Sequence, residues 1–116
     1  MAVRTTPIWL VDIREEIAGI RSVTAGQNGN EFAASWVTKR AVEHALPIIA
    51  EAARHIPAHM EESRPEVPWQ KIHVLGNMLR HEYRRIDPDI LWSVAADHIE
   101  PLDQVALAML EQLAKT

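Results

Sequence analysis

Apolar residues recur every three or four positions along almost the whole of this chain, and only four glycines interrupt them. That spacing is the 3.6-residue period of an amphipathic helix, and no run alternates with the period of two that a half-buried strand needs. The chain is therefore expected to be all-α, an antiparallel bundle of four to five helices. Its 116 residues, 47% of them hydrophobic and 24% charged, are enough to bury one core. Residues 1–116 are accordingly expected to form a single domain.

Proline supplies the punctuation. Thr6-Pro7 starts the first helix, because a hydroxyl can cap it and proline's missing N–H costs nothing at the first helical position. Leu10, Ile13, Ile17 and Ile20 trace its apolar face, and Gly26-Gln27-Asn28-Gly29-Asn30 ends it in a loop. A second helix is expected from about Asn30 to His55, striped by Val37, Ala41, Ala45, Ile48, Ile49 and Ala52 and kinked at Pro47. Pro57, Pro65 and Pro68 bracket a loop through Glu61-Glu62-Ser63-Arg64. A third helix runs from Trp69 to about Tyr83 with Ile72, Leu75 and Leu79 inward. Asp87-Pro88-Asp89 caps a fourth, whose inner face continues through Leu91, Val94, Ala95 and His98. Pro101 breaks or bends the pattern before a last helix bearing Leu102, Val105, Leu110 and Leu113.

Composition removes several function classes. With no cysteine there is no disulfide framework, thiol nucleophile or cysteine metal site. No apolar run approaches the roughly 20 residues of a membrane span, and Met1-Ala-Val-Arg-Thr-Thr-Pro lacks the apolar core of a secretory signal. The expected compartment is the cytoplasm, with no membrane partner. A net charge of -4 argues against a broad duplex-binding surface. Yet Lys71, Arg80, Arg84 and Arg85 lie close together, a small basic site on an acidic body.

The chemistry concentrates in Gly76-Asn77-Met78-Leu79-Arg80-His81-Glu82-Tyr83-Arg84-Arg85-Ile86-Asp87, which holds a histidine, three arginines and the only tyrosine. An imidazole exchanges protons near neutral pH, and a guanidinium matches a phosphate. His81 is a candidate for proton transfer at a ribose 2′-hydroxyl, with an adjacent arginine stabilising the charge that builds on the phosphate; such a mechanism needs no metal. Asn77 lies four residues before His81, on the same helical face, as does Gly76 relative to Arg80. The bland account treats Arg80, Arg84 and Arg85 as favourable charges at a helix C-terminus and His81 as a packing residue. His55 and His59 have metal-ligand spacing, but Pro57 lies between them and no third ligand is evident. Trp36, Trp69 and Trp92 are expected as core or interface anchors, and Glu51 is a candidate partner for a motif arginine.

Pro68-Trp69-Gln70-Lys71-Ile72, Asn77, Leu79, His81-Glu82-Tyr83, Asp87 and Ile90-Leu91-Trp92 resemble, in order and spacing, the HepT-like group of the HEPN superfamily. Ile48-Ile49-Ala50-Glu51-Ala52 is similar to that group's IIGEA segment. The resemblance implies an all-α homodimer whose motif helices face each other across a shared cleft. It also implies the toxin of a toxin–antitoxin module, a metal-independent RNase with no cofactor. Its partner would be a minimal nucleotidyltransferase antitoxin that transfers AMP to the motif tyrosine. By position, His81 matches the family histidine, Asn77 the motif asparagine and Tyr83 the modified tyrosine; the expected catalytic set is Asn77, Arg80 and His81, and Lys71, Arg84 and Arg85 are expected to bind substrate. One departure stands out. The family's arginine lies five residues before the histidine, where this chain has Gly76, so Arg80 would have to reach back over the glycine. The alternative is a non-catalytic dimer that only binds the transferase.

Overall fold

The computed structural model describes residues 5–82 and 86–115. Four long helices dominate: α1 (Thr6–Thr24), α3 (Trp36–Arg54), α5 (Trp69–Glu82) and α7 (Ile99–Ala114). Three short ones, α2 (Gly29–Ala34), α4 (Ala58–Glu62) and α6 (Pro88–Ser93), link them, and a π-helical turn (Val94–His98) leads into α7. No strand occurs among the described residues. The all-α bundle and its four principal helices are as the periodicity predicts.

Side-chain contacts set the topology. Trp9 near the start of α1 stacks on His55 just beyond α3, while Gln27 just after α1 donates to Thr38 early in α3, so the two helices run antiparallel. Arg14 and Arg21 of α1 both reach Asp103 of α7 at 3.0 Å, and Arg21 also pairs with Glu100. That register makes α7 antiparallel to α1 as well. The spatial order is thus α5, α3, α1, α7, which leaves α5 at one edge of the bundle.

Leu10, Ile13, Ile17 and Ile20 are all buried, the face expected of α1. They close on Phe32, Val42, Ile49, Leu91 and Met109. Each fully buried aliphatic or aromatic side chain contributes roughly 1.5–3 kcal/mol, so this cluster carries most of the fold's stability.

Several boundaries differ from the sequence reading. The segment expected as one helix from Asn30 to His55 is two, separated at Ser35. Asn28 and Glu31 form a reciprocal capping box on α2, and the Ser35 hydroxyl then accepts from the Thr38 amide to open α3. That second start shifts the first two turns of the stripe: Val37 is 65% exposed, and Thr38 and Val42 are buried instead, while Ala45, Ile49 and Ala52 are buried as expected. Pro47 sits inside α3, yet the helix is unbroken from Trp36 to Arg54. The proline-bracketed loop contains α4. His98 is exposed rather than on the inner face, because the wider π turn swings it outward while its Nδ1 lies 3.0 Å from the Ser93 carbonyl. Pro101 falls in the first turn of α7, where no intrahelical donor is required, so it opens the helix instead of breaking it. Asp87 caps α6 as expected, its side chain accepting from the Asp89 amide.

Candidate active site

Helix α5 carries the motif, and Gly76 determines how it lies. A Cβ built at Gly76 would sit 2.1 Å from the Ala50 Cβ, far inside any contact distance, so the Ala50 methyl of α3 occupies the space a side chain at 76 would need. Gly76 is buried. It is not an open surface over which a neighbouring side chain reaches, and an arginine rooted there would have to force α5 away from α3.

One turn later, Arg80 emerges from the same junction and turns toward α3. Its Nη2 lies 3.5 Å from Glu51 Oε1. Glu51 also approaches Arg54 at 3.3 Å and His55 at 3.0 Å, and the His55 ring stacks on Trp9 with centroids 4.0 Å apart. A single carboxylate thus gathers charged groups from two helices. The hydrogen bond to His55 holds the Glu51 carboxyl below its ordinary range; partial burial opposes this, and the charges of Arg54, His55 and Arg80 reinforce it. Glu51 is therefore ionised at neutral pH, and it orients Arg80.

The opposite side of α5 presents Val74, Asn77, Met78 and His81, spaced i, i+3, i+4 and i+7 on one exposed stripe. Asn77 and Arg80 line an open cavity of about 440 Å³ together with Arg54 and His73. His81 and Lys71 are exposed on the same helix but do not border that cavity. Tyr83, Arg84 and Arg85 lie outside the described residues. The structure brings Asn77 and Arg80 together and leaves the His81 ring in solvent, not in dry packing.

Two groups escape the sequence reading. His73 lies four residues before Asn77, the spacing that also links Asn77 to His81, and that repeat was the available signal. Its Nε2 is 3.6 Å from Glu61 Oε2 of α4. Burial pushes the Glu61 carboxyl up, opposed by the charge and hydrogen bonding of His73. Arg54 joins the site from α3, which no local pattern indicates. The candidate metal pair is separated in role: His55 is committed to Glu51 and Trp9, while His59 is exposed on α4. Among the described residues no three His, Asp or Glu side chains converge as metal ligands.

The model of the family described as Ribonuclease HepT-like matches residues 13–109. A Methanocaldococcus jannaschii protein that carries an RNase name is 34% identical over 99 residues, covering 85% of this chain and 91% of that protein. A Thermococcus cleftensis protein named as a probable ribonuclease HepT is 33% identical over 94 residues, 81% of this chain and 86% of its own. A Caldanaerobacter subterraneus protein, also with an RNase name, is 27% identical over 109 residues, 94% of this chain and 97% of its own. No solved structure matches the chain.

Proposed function

The chain belongs to the Ribonuclease HepT-like family, and on that premise we propose that it cleaves RNA as the toxin of a type VII toxin–antitoxin module. Residues 1–116 act as one cytoplasmic domain that works as a homodimer. No described helix is long and apolar enough to cross a membrane. The observation that carries the proposal is the α5 surface itself: an exposed imidazole and amide on one stripe, beside a guanidinium held in place by Glu51.

In the reaction, His81 takes the proton from a ribose 2′-hydroxyl as its oxygen attacks phosphorus. The bond from phosphorus to the 5′-oxygen breaks, and the imidazolium returns the proton to that leaving oxygen. Products are a 2′,3′-cyclic phosphate and a 5′-hydroxyl. Arg80 stabilises the charge on the non-bridging oxygens, and Asn77 positions one of them. Lys71, Arg84 and Arg85 hold flanking phosphates. No metal or cofactor enters this scheme.

The dimer reading rests on Val74 and Met78, 49% and 43% exposed, which flank Asn77 on the outward stripe of an edge helix. A second copy laid against that stripe would cover the apolar pair and set two copies of His81 around one cleft. Neutralisation follows from a nucleotidyltransferase antitoxin that transfers AMP from ATP to the Tyr83 hydroxyl, which loses its proton as the α–β phosphoanhydride breaks and pyrophosphate leaves, placing bulk and negative charge beside the basic cluster.

A second reading is favoured by Gly76. Because the family's arginine position is occupied by a close helix contact, and Arg80 is already engaged by Glu51, the chain could bind its transferase without cutting RNA. Purified protein that leaves single-stranded and transfer RNA intact while still binding the transferase selects this second reading, and the His81→Ala variant tests the first. On the RNase reading it abolishes growth inhibition when expressed without the transferase; equal toxicity of variant and parent removes His81 from the chemistry.

A further inference from the structure

We propose that Trp36 is a stacking platform for an unpaired RNA base, at the far end of a groove that leads along α3 to Arg80. The proposal rests on the RNA-cleaving reading and adds where a second part of the substrate is held. Trp36 opens α3 directly after the Ser35 cap, and its side chain is 67% exposed. The three other tryptophans are engaged. Trp9 stacks on His55, Trp69 donates from Nε1 to the Arg64 carbonyl at 3.0 Å, and Trp92 packs on Phe32 with centroids 5.4 Å apart. Leaving an indole in water forgoes the burial that makes tryptophan useful to a core.

Its surroundings suit a nucleotide. The Arg40 guanidinium carbon lies 5.6 Å from the Trp36 ring centroid while its Nη1 bonds Glu43 at 2.7 Å, so the cation is braced over one side of the indole. The exposure of Trp36 leaves indole surface to receive a base, and every base offers a π face regardless of sequence. Lys39 lines the same groove, of about 310 Å³, placing positive charge where a backbone phosphate would follow.

Arg40 and Glu43 also border a larger cavity of about 680 Å³ that extends past His44 to Glu51 and Arg80. From Trp36 to Glu51 is fifteen helical residues, about 22 Å at 1.5 Å per residue. A single strand that places its scissile phosphate at Arg80 can therefore lay an upstream or downstream base on Trp36. The exposed Val37 beside it would equally suit a protein partner. Lys39 and the braced guanidinium favour the polyanion at the Trp36 end, while Asp12, Glu43 and Glu51 line the stretch toward Arg80, so the phosphates between the two ends must pass clear of those carboxylates.

The test uses the full chain and a fluorescein-labelled hexanucleotide with 2′-O-methyl riboses, which has no 2′-hydroxyl and cannot be cut. Fluorescence anisotropy should show Trp36→Ala weakening binding about 5- to 100-fold, with Trp36→Phe recovering most of the loss. Circular dichroism of both variants should match the parent, since Trp36 is largely exposed. Equal affinity of parent and Trp36→Ala overturns the platform. So does an affinity for Trp36→Phe as poor as that of the alanine variant. Loss of co-purification with the transferase, with oligonucleotide affinity unchanged, also overturns it and assigns the surface to protein docking. Trp36-dependent binding by a protein that cuts no natural RNA would keep the platform and reject the RNase reading.

Discussion

Gly76 shows how one missing side chain can be misread from sequence. In a linear motif it looks like a vacancy where a cation has been lost. In the fold it is the contact at which α5 settles onto α3, with Ala50 directly opposite. Two effects oppose each other when a methyl is added there. Alanine gains about 1 kcal/mol of helix propensity over glycine. A 2.1 Å approach to another Cβ exceeds what rotamer change can relieve, because neither methyl can move without its backbone. Overpacking of this kind costs about 1–3 kcal/mol and should win. Gly76→Ala is therefore expected to lower the denaturant midpoint, and adding Ala50→Gly should restore most of it. A Gly76→Ala variant as stable as the parent would mean the helices do not meet so closely. The position was legible as unusual; its reason was not, since it depends on residues 26 apart being brought together.

Helix starts and stops were the least legible elements. Sequence periodicity alone ran α2 and α3 together, because Asn28 and Ser35 both offer caps within one continuous amphipathic pattern. Only the tertiary fit of Phe32 into the core decides that both are used. The ion-pair pattern was also invisible. Arg14 and Arg21, seven apart on α1, converge on buried Asp103 of α7, which composition counts among ordinary surface charges. Burial pushes the Asp103 carboxyl up, but the hydrogen bonds and charges of the two arginines outweigh it and hold the group below its usual range. A depressed folded value means the stabilisation is present above the unfolded carboxylate range, near pH 4, and lost as pH falls through the folded value. Both arginines are partly solvated, so the effect is discounted for screening. Asp103→Asn is expected to cost about 1–3 kcal/mol at pH 7 in urea unfolding. That difference should shrink on acidification below about pH 4. A gap independent of pH would show that the charge itself is not what joins α7 to α1.

The whole molecule measures 46 × 29 × 29 Å and carries its motif helix on the edge of the bundle. The fold class was legible because helix period and proline spacing act locally. The edge position of α5 was not, because the spatial order α5, α3, α1, α7 follows from pairings distant in sequence. That position leaves the stripe of Val74, Asn77, Met78 and His81 available to a second copy. Light scattering should give twice the 13.1 kDa of one chain, and Met78→Asp should return the single-chain mass. A parent that scatters as one chain would place the shared cleft in error. Beneath both expectations lies one claim, that the imidazole and guanidinium of α5 act on a phosphodiester. Its most direct test incubates purified protein with 5′-labelled single-stranded RNA in the presence of EDTA and identifies the ends formed. The parent should yield fragments ending in 2′,3′-cyclic phosphate and His81→Ala should leave the RNA intact; fragments of equal yield from both proteins would remove the imidazole from the chemistry.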